Sequence, residues 1–232
     1  MRLFVALLPP PAAVAELARA AAPLRRLPGA GDLRWTPTES WHLTLAFLGE
    51  TPDALRPELD ERLARAARRH GPYDLRLAGG GRFGDRALWA AAEGDLPGLA
   101  RLARSVRAAA RRAGAPVDEE HGFRAHLTLA RTARGRPVPL RPFAAELAGF
   151  RGASWTADTL CLVSSTAPRS GVPGEQPRYD TVAAWPLGAA AGEAAEAGAA
   201  RDVPDDTRGV SDDARGVSGG DAPAAGGPGA GG

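Results

Sequence analysis

The chain has 232 residues, 44% of them hydrophobic, and a formal net charge of +2 at pH 7. This length supports one domain, or two small lobes that share a core. The single cysteine, Cys161, excludes an internal disulfide and fits a reducing compartment. One cysteine with four histidines argues against a zinc site of the usual type. No apolar run is long enough to span a membrane, so we expect a cytoplasmic protein with no membrane partner.

The small net charge hides a basic body and an acidic end of the chain. Residues 1–187 contain 26 Arg against 19 acidic residues, whereas residues 188–232 contain three Arg against eight. A basic body favours phosphate-bearing partners, although arginine-rich helices that merely stay soluble give the same composition. Residues 188–232 are mostly Ala, Gly, Asp and Pro and include no aromatic residue. We therefore predict a folded domain over 1–187 and a disordered acidic tail over 188–232.

Apolar runs and helical spacing alternate along the folded part. The first half is predicted to contain strands over 3–8, 33–35 and 41–48, and helices over 12–22 and 52–70. The second half is predicted to contain strands over 73–78, 88–92 and 123–130, a helix over 96–113, and strands near 143–150, 159–165 and 179–185. A cluster of glycines predicts a flexible loop over 79–85.

The pentapeptide HLTLA occurs twice, at residues 42–46 and 126–130. Alternate side chains of a strand share a face, so His42 and Thr44 face one way while the leucines point into the core. His126 and Thr128 have the same arrangement in the second copy. Two such strands can bring two imidazoles and two hydroxyls to one cleft, which indicates acid–base chemistry on a small anionic group.

The repeat extends beyond the pentapeptide. In each half a buried strand leads into a helix and then into the motif strand; Leu3 precedes His42 by 39 residues, and Leu88 precedes His126 by 38. This pattern predicts an internal duplication, with two lobes related by a pseudo-twofold axis and motif strands that face each other. A lone His or Thr on a half-buried strand is more often structural than catalytic, but packing does not require a titratable ring at two matched positions.

Several segments besides the two pentapeptides carry a family resemblance: RLFVA at 2–6, WHLTLAFLG at 41–49, GGRF at 80–83, FRAHLTLAR at 123–131, YDT at 179–181 and WPL at 185–187. With these residues the sequence resembles the 2H phosphoesterase superfamily, whose signature is two His-x-Thr/Ser-x motifs. It is most similar to the bacterial and archaeal RNA 2′,3′-cyclic phosphodiesterases, historically called 2′-5′ RNA ligases. Ala125 stands where relatives often have Pro. The resemblance says nothing about the tail.

The resemblance implies an α+β fold with two pseudo-twofold-related lobes, in which antiparallel sheets are flanked by helices and a cleft lies between the lobes. It implies hydrolysis of the 2′,3′-cyclic phosphodiester at an RNA end to a 2′-phosphomonoester, with no metal and no cofactor. By position in the motifs, His42 is expected to be the proton donor and His126 the proton acceptor. Thr44 and Thr128 are expected to donate hydrogen bonds to the phosphate oxygens. We expect a monomer.

Three further residues are candidates for substrate binding. Arg131 directly follows the second motif and is expected to clamp phosphate, but strict alternation puts it on the face opposite His126, so the strand must end or bend there. Arg124 shares the face of His126 on a regular strand, and either arginine can equally be a surface residue. Phe83, in the predicted glycine loop, is expected to stack on a base or else to plug the core.

Three other functions remain open from the sequence. The same centre run in reverse joins a 2′,3′-cyclic end to a 5′-hydroxyl and is a 2′-5′ RNA ligase, although abundant water favours hydrolysis. A non-catalytic RNA- or nucleotide-binding module keeps the cleft without turnover. A related esterase acts on a small cyclic nucleotide phosphate instead of RNA.

Overall fold

A computed structural model of the chain describes residues 1–117, 122–133, 136–167 and 176–188. Within these ranges the strands are β1 (Arg2–Leu7), β2 (Leu33–Trp35), β3 (Leu43–Glu50), β4 (Tyr73–Phe83), β5 (Ala87–Gly94), β6 (His126–Thr132), β7 (Trp155–Ala157), β8 (Thr159–Thr166) and β9 (Arg178–Pro186). The α-helices are α1 (Pro11–Ala21), α2 (Arg56–Arg68), α3 (Leu96–Arg112) and α4 (Arg141–Glu146). The predicted disordered tail lies outside the described residues from residue 189 onward.

The strands form two antiparallel sheets, one in the order β3-β1-β8-β9 and one in the order β2-β6-β5-β4-β7. Each sheet holds one motif strand, β3 or β6, beside the strand that opens its half of the repeat, β1 or β5. On the far side of that strand lies β8 in one sheet and β4 in the other. The series β3-β1-β8 and β6-β5-β4 thus have the same order. The predicted α+β fold, with antiparallel sheets flanked by helices, is confirmed.

The first helix of each half of the repeat packs against the sheet of the other half. α1 follows β1 of the first sheet but packs against β4 of the second, and α3 follows β5 of the second sheet but packs against β3 of the first. α2 packs against α3 and β9, and α4 packs against β4. One buried cluster joins both sheets and all four α-helices, through Phe143 of α4 and leucines that include Leu3, Leu17, Leu63, Leu99 and Leu127. Because the helices cross over, the two halves form one folded unit with a shared core.

Local sequence accounts for the ends of two helices. Pro11 lies in the first turn of α1, where its missing N–H has no intrahelical partner to lose. The carboxylate of Asp95 caps α3 by accepting a hydrogen bond from the backbone N–H of Gly98 at 2.8 Å. α3 ends before Gly114, whose φ of +81° is a left-handed conformation that glycine adopts without strain.

The flexible loop predicted over 79–85 is wrong for residues 79–83, and only residues 84 and 85 of it lie in a turn. β4 continues through the glycines to Phe83 and pairs with β5 along this length. A methyl group added at Gly81 would collide with the indole ring of Trp89, and one added at Gly80 would collide with Leu147 next to α4. The glycines therefore allow Trp89 and Leu147 to pack closely against β4, and they do not form a turn.

The strand predicted near 143–150 is also wrong, because Arg141–Glu146 forms α4. Phe143 and Leu147 are both buried and lie four residues apart, which is the spacing of one helix face. A short apolar segment of this kind is ambiguous between helix and strand from periodicity alone. The pattern also missed β7, which has only three residues at the edge of its sheet.

The other predicted strands and helices are confirmed, with ends shifted by a few residues. Of the helices in the described part of the chain, none has the length and apolar character that crossing a membrane requires.

Candidate active site

A cleft of about 830 Å³ lies between the two motif strands. His42 and Thr44 line it from the first sheet, and His126 and Thr128 line it from the second. The charged side chains of the lining are Arg34, Arg86, Arg107, Arg124 and Arg131. None of the described lining residues is acidic. A cleft with this lining attracts anions.

Both histidines are anchored in the same way. Nδ1 of His42 lies 2.7 Å from the carbonyl oxygen of Ser40, and Nδ1 of His126 lies 2.8 Å from that of Arg124. A carbonyl oxygen only accepts hydrogen bonds, so each Nδ1 carries a proton and donates. Nε2 is then the nitrogen that can accept or release a mobile proton. In both copies the carbonyl two residues before the histidine fixes the tautomer and orients the ring.

A β-bulge at the same place in each motif strand interrupts the alternation of side chains. In β3 the register with β1 skips Leu45, and in β6 the register with β5 skips Leu129. A skipped residue moves the side chains that follow to the other face. The residue that directly follows the pentapeptide, which we call the sixth motif position, is Phe47 in one copy and Arg131 in the other. Both residues therefore line the cleft. From the sequence, Arg131 could reach the face of His126 only if the strand ended or bent, and this bulge provides the bend.

Burial keeps both imidazoles neutral over much of the pH range. The pKa of His42 is lowered to about 4, mainly by desolvation and in smaller part by the charges of His126 and Arg131. Desolvation also lowers the pKa of His126, with additional lowering from Arg131 and Arg124. The hydrogen bonds to the backbone carbonyls oppose these shifts because they stabilise the charged ring. Arg131 acts on both pKa values, so its guanidinium lies within electrostatic reach of both rings.

Aromatic rings account for the desolvation of the two imidazoles. The ring centre of His42 lies 4.6 Å from that of Phe4 and 5.4 Å from that of Tyr179, which is edge-on. The ring centre of His126 lies 4.9 Å from that of Phe83, also edge-on. These contacts remove water from one side of each imidazole and restrict its rotation, which suits groups that must be held in position.

Arg124 and Phe83 lie beside His126, although their local structure differs from the prediction. β6 begins at His126, so Arg124 precedes the strand. Its guanidinium carbon lies 4.8 Å from the ring centre of Trp89 and 6.0 Å from that of Phe83, within the range of cation–π contacts. Phe83 ends β4 and is half-buried, so it lines the cleft and does not plug the core.

Sequence reasoning missed several residues of the cleft. Phe47 is 50% exposed, and its place in the repeat equals that of Arg131, a match that the sequence already contained. Tyr179 was named only as part of a predicted strand and of a segment of the family resemblance, with no role in the cleft. Arg34 of β2 pairs directly with Arg131 of β6. No local signal identifies that pairing, because it joins segments far apart in the chain.

Other potential bases and nucleophiles have structural surroundings. Nε2 of His70 lies 2.8 Å from the hydroxyl of Ser105, and its Nδ1 lies 3.0 Å from the hydroxyl of Tyr73. The thiol of Cys161 is buried, which raises its pKa to about 11. Among the residues that the structure describes, no group of three or more His, Cys, Asp or Glu is placed to hold a metal ion. Among the described residues, His42 and His126 are thus the two histidines that line the cleft.

The family follows from comparison with known proteins. The sequence profile of the 2′-5′ RNA ligase superfamily matches residues 9–169, a span that includes both HLTLA motifs. A relative from Thermus thermophilus, named RNA 2′,3′-cyclic phosphodiesterase, is 33% identical over 182 residues, which cover 71% of this chain and 82% of the relative. The chain belongs to the 2′-5′ RNA ligase superfamily.

Further relatives and solved structures agree with this assignment. A protein of the same name from Geobacillus stearothermophilus is 31% identical over 157 residues; the match covers 66% of this chain but only about half, 47%, of the relative. The crystal structure of TT0787 from Thermus thermophilus is 30% identical, with a TM-score of 0.63 over 81% of this chain and 98% of that one. LigT from E. coli, crystallised with 3′-AMP, is 24% identical with a TM-score of 0.60 over 80% of this chain and 96% of its own, and shares the fold.

Proposed function

We propose that this chain is an RNA 2′,3′-cyclic phosphodiesterase that opens the terminal cyclic phosphate to a 2′-phosphomonoester by acid–base catalysis from two histidines. The observation that carries the proposal is a pair of imidazoles, each with Nδ1 held by a backbone carbonyl, in one arginine-lined cleft. On this proposal the enzyme works in the cytoplasm as a monomer, without metal or cofactor.

The relatives and the charge of the cleft support the substrate class. Three curated relatives, 31–33% identical, are named RNA 2′,3′-cyclic phosphodiesterase. RNA is a polyanion, and five arginines line the cleft. The exposed ring of Phe47 and the half-buried ring of Phe83 offer aromatic surface on which an unstacked terminal base can lie.

The two rings act on opposite sides of one phosphorus atom. His126, neutral, accepts a proton at Nε2 from a water molecule whose oxygen attacks phosphorus. His42, protonated, gives its Nε2 proton to the 3′ oxygen as the bond from phosphorus to that oxygen breaks. The phosphate stays on the 2′ oxygen, and the 3′ oxygen becomes a hydroxyl. Release of a proton from His126 to solvent and uptake of one by His42 restore the starting pair.

The lowered pKa values make the proton supply depend on substrate. With a pKa of about 4 in the protein alone, His42 is neutral at pH 7. The cyclic phosphate is an anion, and an anion beside the ring favours the charged form and raises its pKa. The phosphate also offsets the charge of Arg131, which lowers the pKa of both rings. Binding of the substrate therefore favours protonation of His42. The burial that lowers the pKa of His42 then favours release of this proton to the 3′ oxygen.

The hydroxyls and guanidinium groups stabilise the phosphate. Thr44 and Thr128 lie two residues after the histidines and line the cleft with them. Their hydroxyls donate hydrogen bonds to the non-bridging oxygens, where negative charge grows in the transition state. Arg131 and Arg124 can each donate two parallel hydrogen bonds to phosphate oxygens.

The experiment is hydrolysis of a short RNA that ends in a 2′,3′-cyclic phosphate, with the position of the product phosphate identified by phosphorus NMR. We expect a 2′-phosphomonoester and a rate that a chelator leaves unchanged. We also expect a bell-shaped profile of kcat/KM with its optimum below about pH 6.5, because the pKa of each imidazole is lowered in the free enzyme. A 3′-phosphate product or loss of activity in the chelator contradicts the mechanism. If an RNA with a 5′-hydroxyl is added and becomes joined to the cyclic-phosphate end, the reaction is ligation.

A further inference from the structure

Two arginines stand directly opposite each other beside the catalytic cleft. Arg34 of β2 pairs with Arg131 of β6 in an antiparallel ladder. Leu33 is buried in the core, so the exposed Arg34 side chain points to the other face, where it lines the cleft. The bulge at Leu129 sends Arg131 to the same face. Like charges directly opposite in a sheet repel each other, so this pair costs stability unless an anion lies between them.

Arg86 adds a third guanidinium group on the other edge of β6. It precedes Ala87, which pairs with Arg131 in the ladder between β5 and β6. Arg86 is exposed and also lines the cleft. Within the described residues, the side chains of Arg34, Arg86 and Arg131 have no ion-pair partner. On α2, by contrast, Arg56, Arg62 and Arg65 are paired with carboxylates one helical turn away.

The three arginines lie along the cleft from the reacting centre. Because of the bulge at Leu129, Thr128 and Arg131 pair with β5 residues that are only two apart, Trp89 and Ala87, so their Cα atoms are roughly 7 Å apart. Arg131 lies within electrostatic reach of both imidazoles, whereas Arg34 and Arg86 contribute to neither pKa shift. Arg131 therefore marks the border between the histidine pair and a second positive region that extends to Arg34 and Arg86.

We propose that Arg34, Arg86 and Arg131 form a second anion subsite, which binds the phosphate on the 5′ oxygen of the nucleotide that carries the cyclic phosphate. This inference rests on the proposed function and narrows its substrate class. In RNA that group is the backbone phosphate nearest to the reacting one. The subsite thus favours an RNA end, or a nucleotide with a 5′-phosphate, over a nucleoside 2′,3′-cyclic phosphate that lacks it. Guanidinium forks suit such a group because each can donate two hydrogen bonds to its oxygens.

The test compares two substrates that differ by one phosphate: adenosine 2′,3′-cyclic phosphate and the same molecule with a 5′-phosphate. We expect the 5′-phosphate to raise kcat/KM of the wild type about tenfold or more, as one charge-assisted contact can supply. In Arg34→Ala and in Arg86→Ala most of this gain should disappear. Arg19→Ala is the matched control, because Arg19 is exposed on α1 outside the cleft lining, and it should keep the full gain.

Equilibrium binding tests the subsite without turnover. Adenosine 2′,5′-bisphosphate should bind the wild type about tenfold more tightly than adenosine 2′-phosphate, and Arg34→Ala should remove the difference. Equal affinities in the wild type, or a difference that survives in the Arg34→Ala/Arg86→Ala double variant, overturns the subsite. An equal loss in Arg19→Ala also overturns it, because diffuse charge then explains the gain. A wild type that opens neither nucleotide nor RNA refutes the proposed function, and the binding comparison still decides the subsite.

Discussion

The two motif strands share five residues, a bulge and a mode of histidine anchoring, yet they build different walls of the cleft. On β3 the sixth motif residue is Phe47, and aromatic rings of Phe4 and Tyr179 pack against His42. On β6 the sixth motif residue is Arg131, and further arginines stand on both sides of the strand. The repeated part holds the two imidazoles to which we assign proton transfer. The part that differs makes one wall aromatic and adds arginines to the other, beside the rings of Phe83 and Trp89.

On the proposed mechanism, this asymmetry is what gives the two imidazoles different tasks. Identical rings in identical surroundings have the same pKa and no reason to divide into acid and base. His42 lies among aromatic rings with a pKa of about 4. Arginine charges are a larger part of the surroundings of His126. On the same proposal, the arginines of the second wall attract the phosphates of the substrate, and the aromatic rings of the first wall are left to contact a base.

Replacing either histidine breaks the repeated part and should have the largest effect. We expect His42→Ala and His126→Ala each to lower kcat on cyclic-phosphate RNA about 10²- to 10⁴-fold, the usual contribution of a positioned acid or base. Circular dichroism should show an unchanged fold. His70→Ala is the matched control, since His70 bonds to Ser105 and Tyr73 and should leave kcat near the wild-type value. Full activity in either motif variant excludes that ring from the chemistry.

The paired hydroxyls come next in magnitude. Thr44→Val and Thr128→Val keep the branched shape but remove the donor, and we expect each to lower kcat about 10- to 100-fold because phosphate charge in the transition state loses a hydrogen bond. Thr44→Ser and Thr128→Ser retain the hydroxyl and should recover most of the rate. If the valine variants match the wild type, the threonines are there for strand formation alone.

The two phenylalanines at the cleft sharpen the contrast between its walls. Phe47→Ala should raise KM for RNA about 5- to 50-fold with little change in kcat, since stacking on an exposed ring contributes binding energy. Phe83→Ala should instead lower kcat, because the Phe83 ring covers one side of the His126 imidazole. Phe47→Tyr preserves the aromatic face and serves as the control. If Phe83→Ala changes KM alone, Phe83 stacks on a base and does not support the His126 imidazole.

The smallest predicted effect is on stability. The pKa of His42 falls from 6.5 in the unfolded chain to about 4 in the folded protein. Below pH 6.5 the His42 side chain is protonated in the unfolded chain but stays neutral in the folded protein. The free energy of unfolding therefore has its full value above pH 6.5 and decreases as the pH falls toward 4. The loss is on the order of 1–3 kcal/mol. Urea unfolding of the wild type and of His42→Gln should show it, with a flatter pH dependence in the variant; parallel curves would contradict the pKa shift.

The sequence predicted what depends on local pattern. Alternation and the repeat located the motif strands, and helical spacing located α1, α2 and α3. The glycine run over 79–81 was misread because glycine signals both turns and close packing, and only the indole of Trp89 against Gly81 distinguishes the two. The segment of α4 was misread because a short apolar run fits either period.

The cleft was predictable only as far as the motif extends. Both histidines and both threonines follow from alternation, but the bulge at Leu129 that brings Arg131 to their face has no clear sequence signature. Arg34 enters through pairing of β2 with β6, which is a non-local choice made by the sheet. The register of distant strands is set by the whole core and cannot be read from a window of residues.

Whether the two rings divide into acid and base can be read directly from a substrate in which sulfur replaces the bridging 3′ oxygen. A thiol has a pKa of about 8.5, so a thiolate leaves without help from an acid. We predict that this substrate restores most of the rate lost in His42→Ala and none of the rate lost in His126→Ala. Rescue of His126→Ala, or failure to rescue His42→Ala, would contradict the assignment of the two histidines.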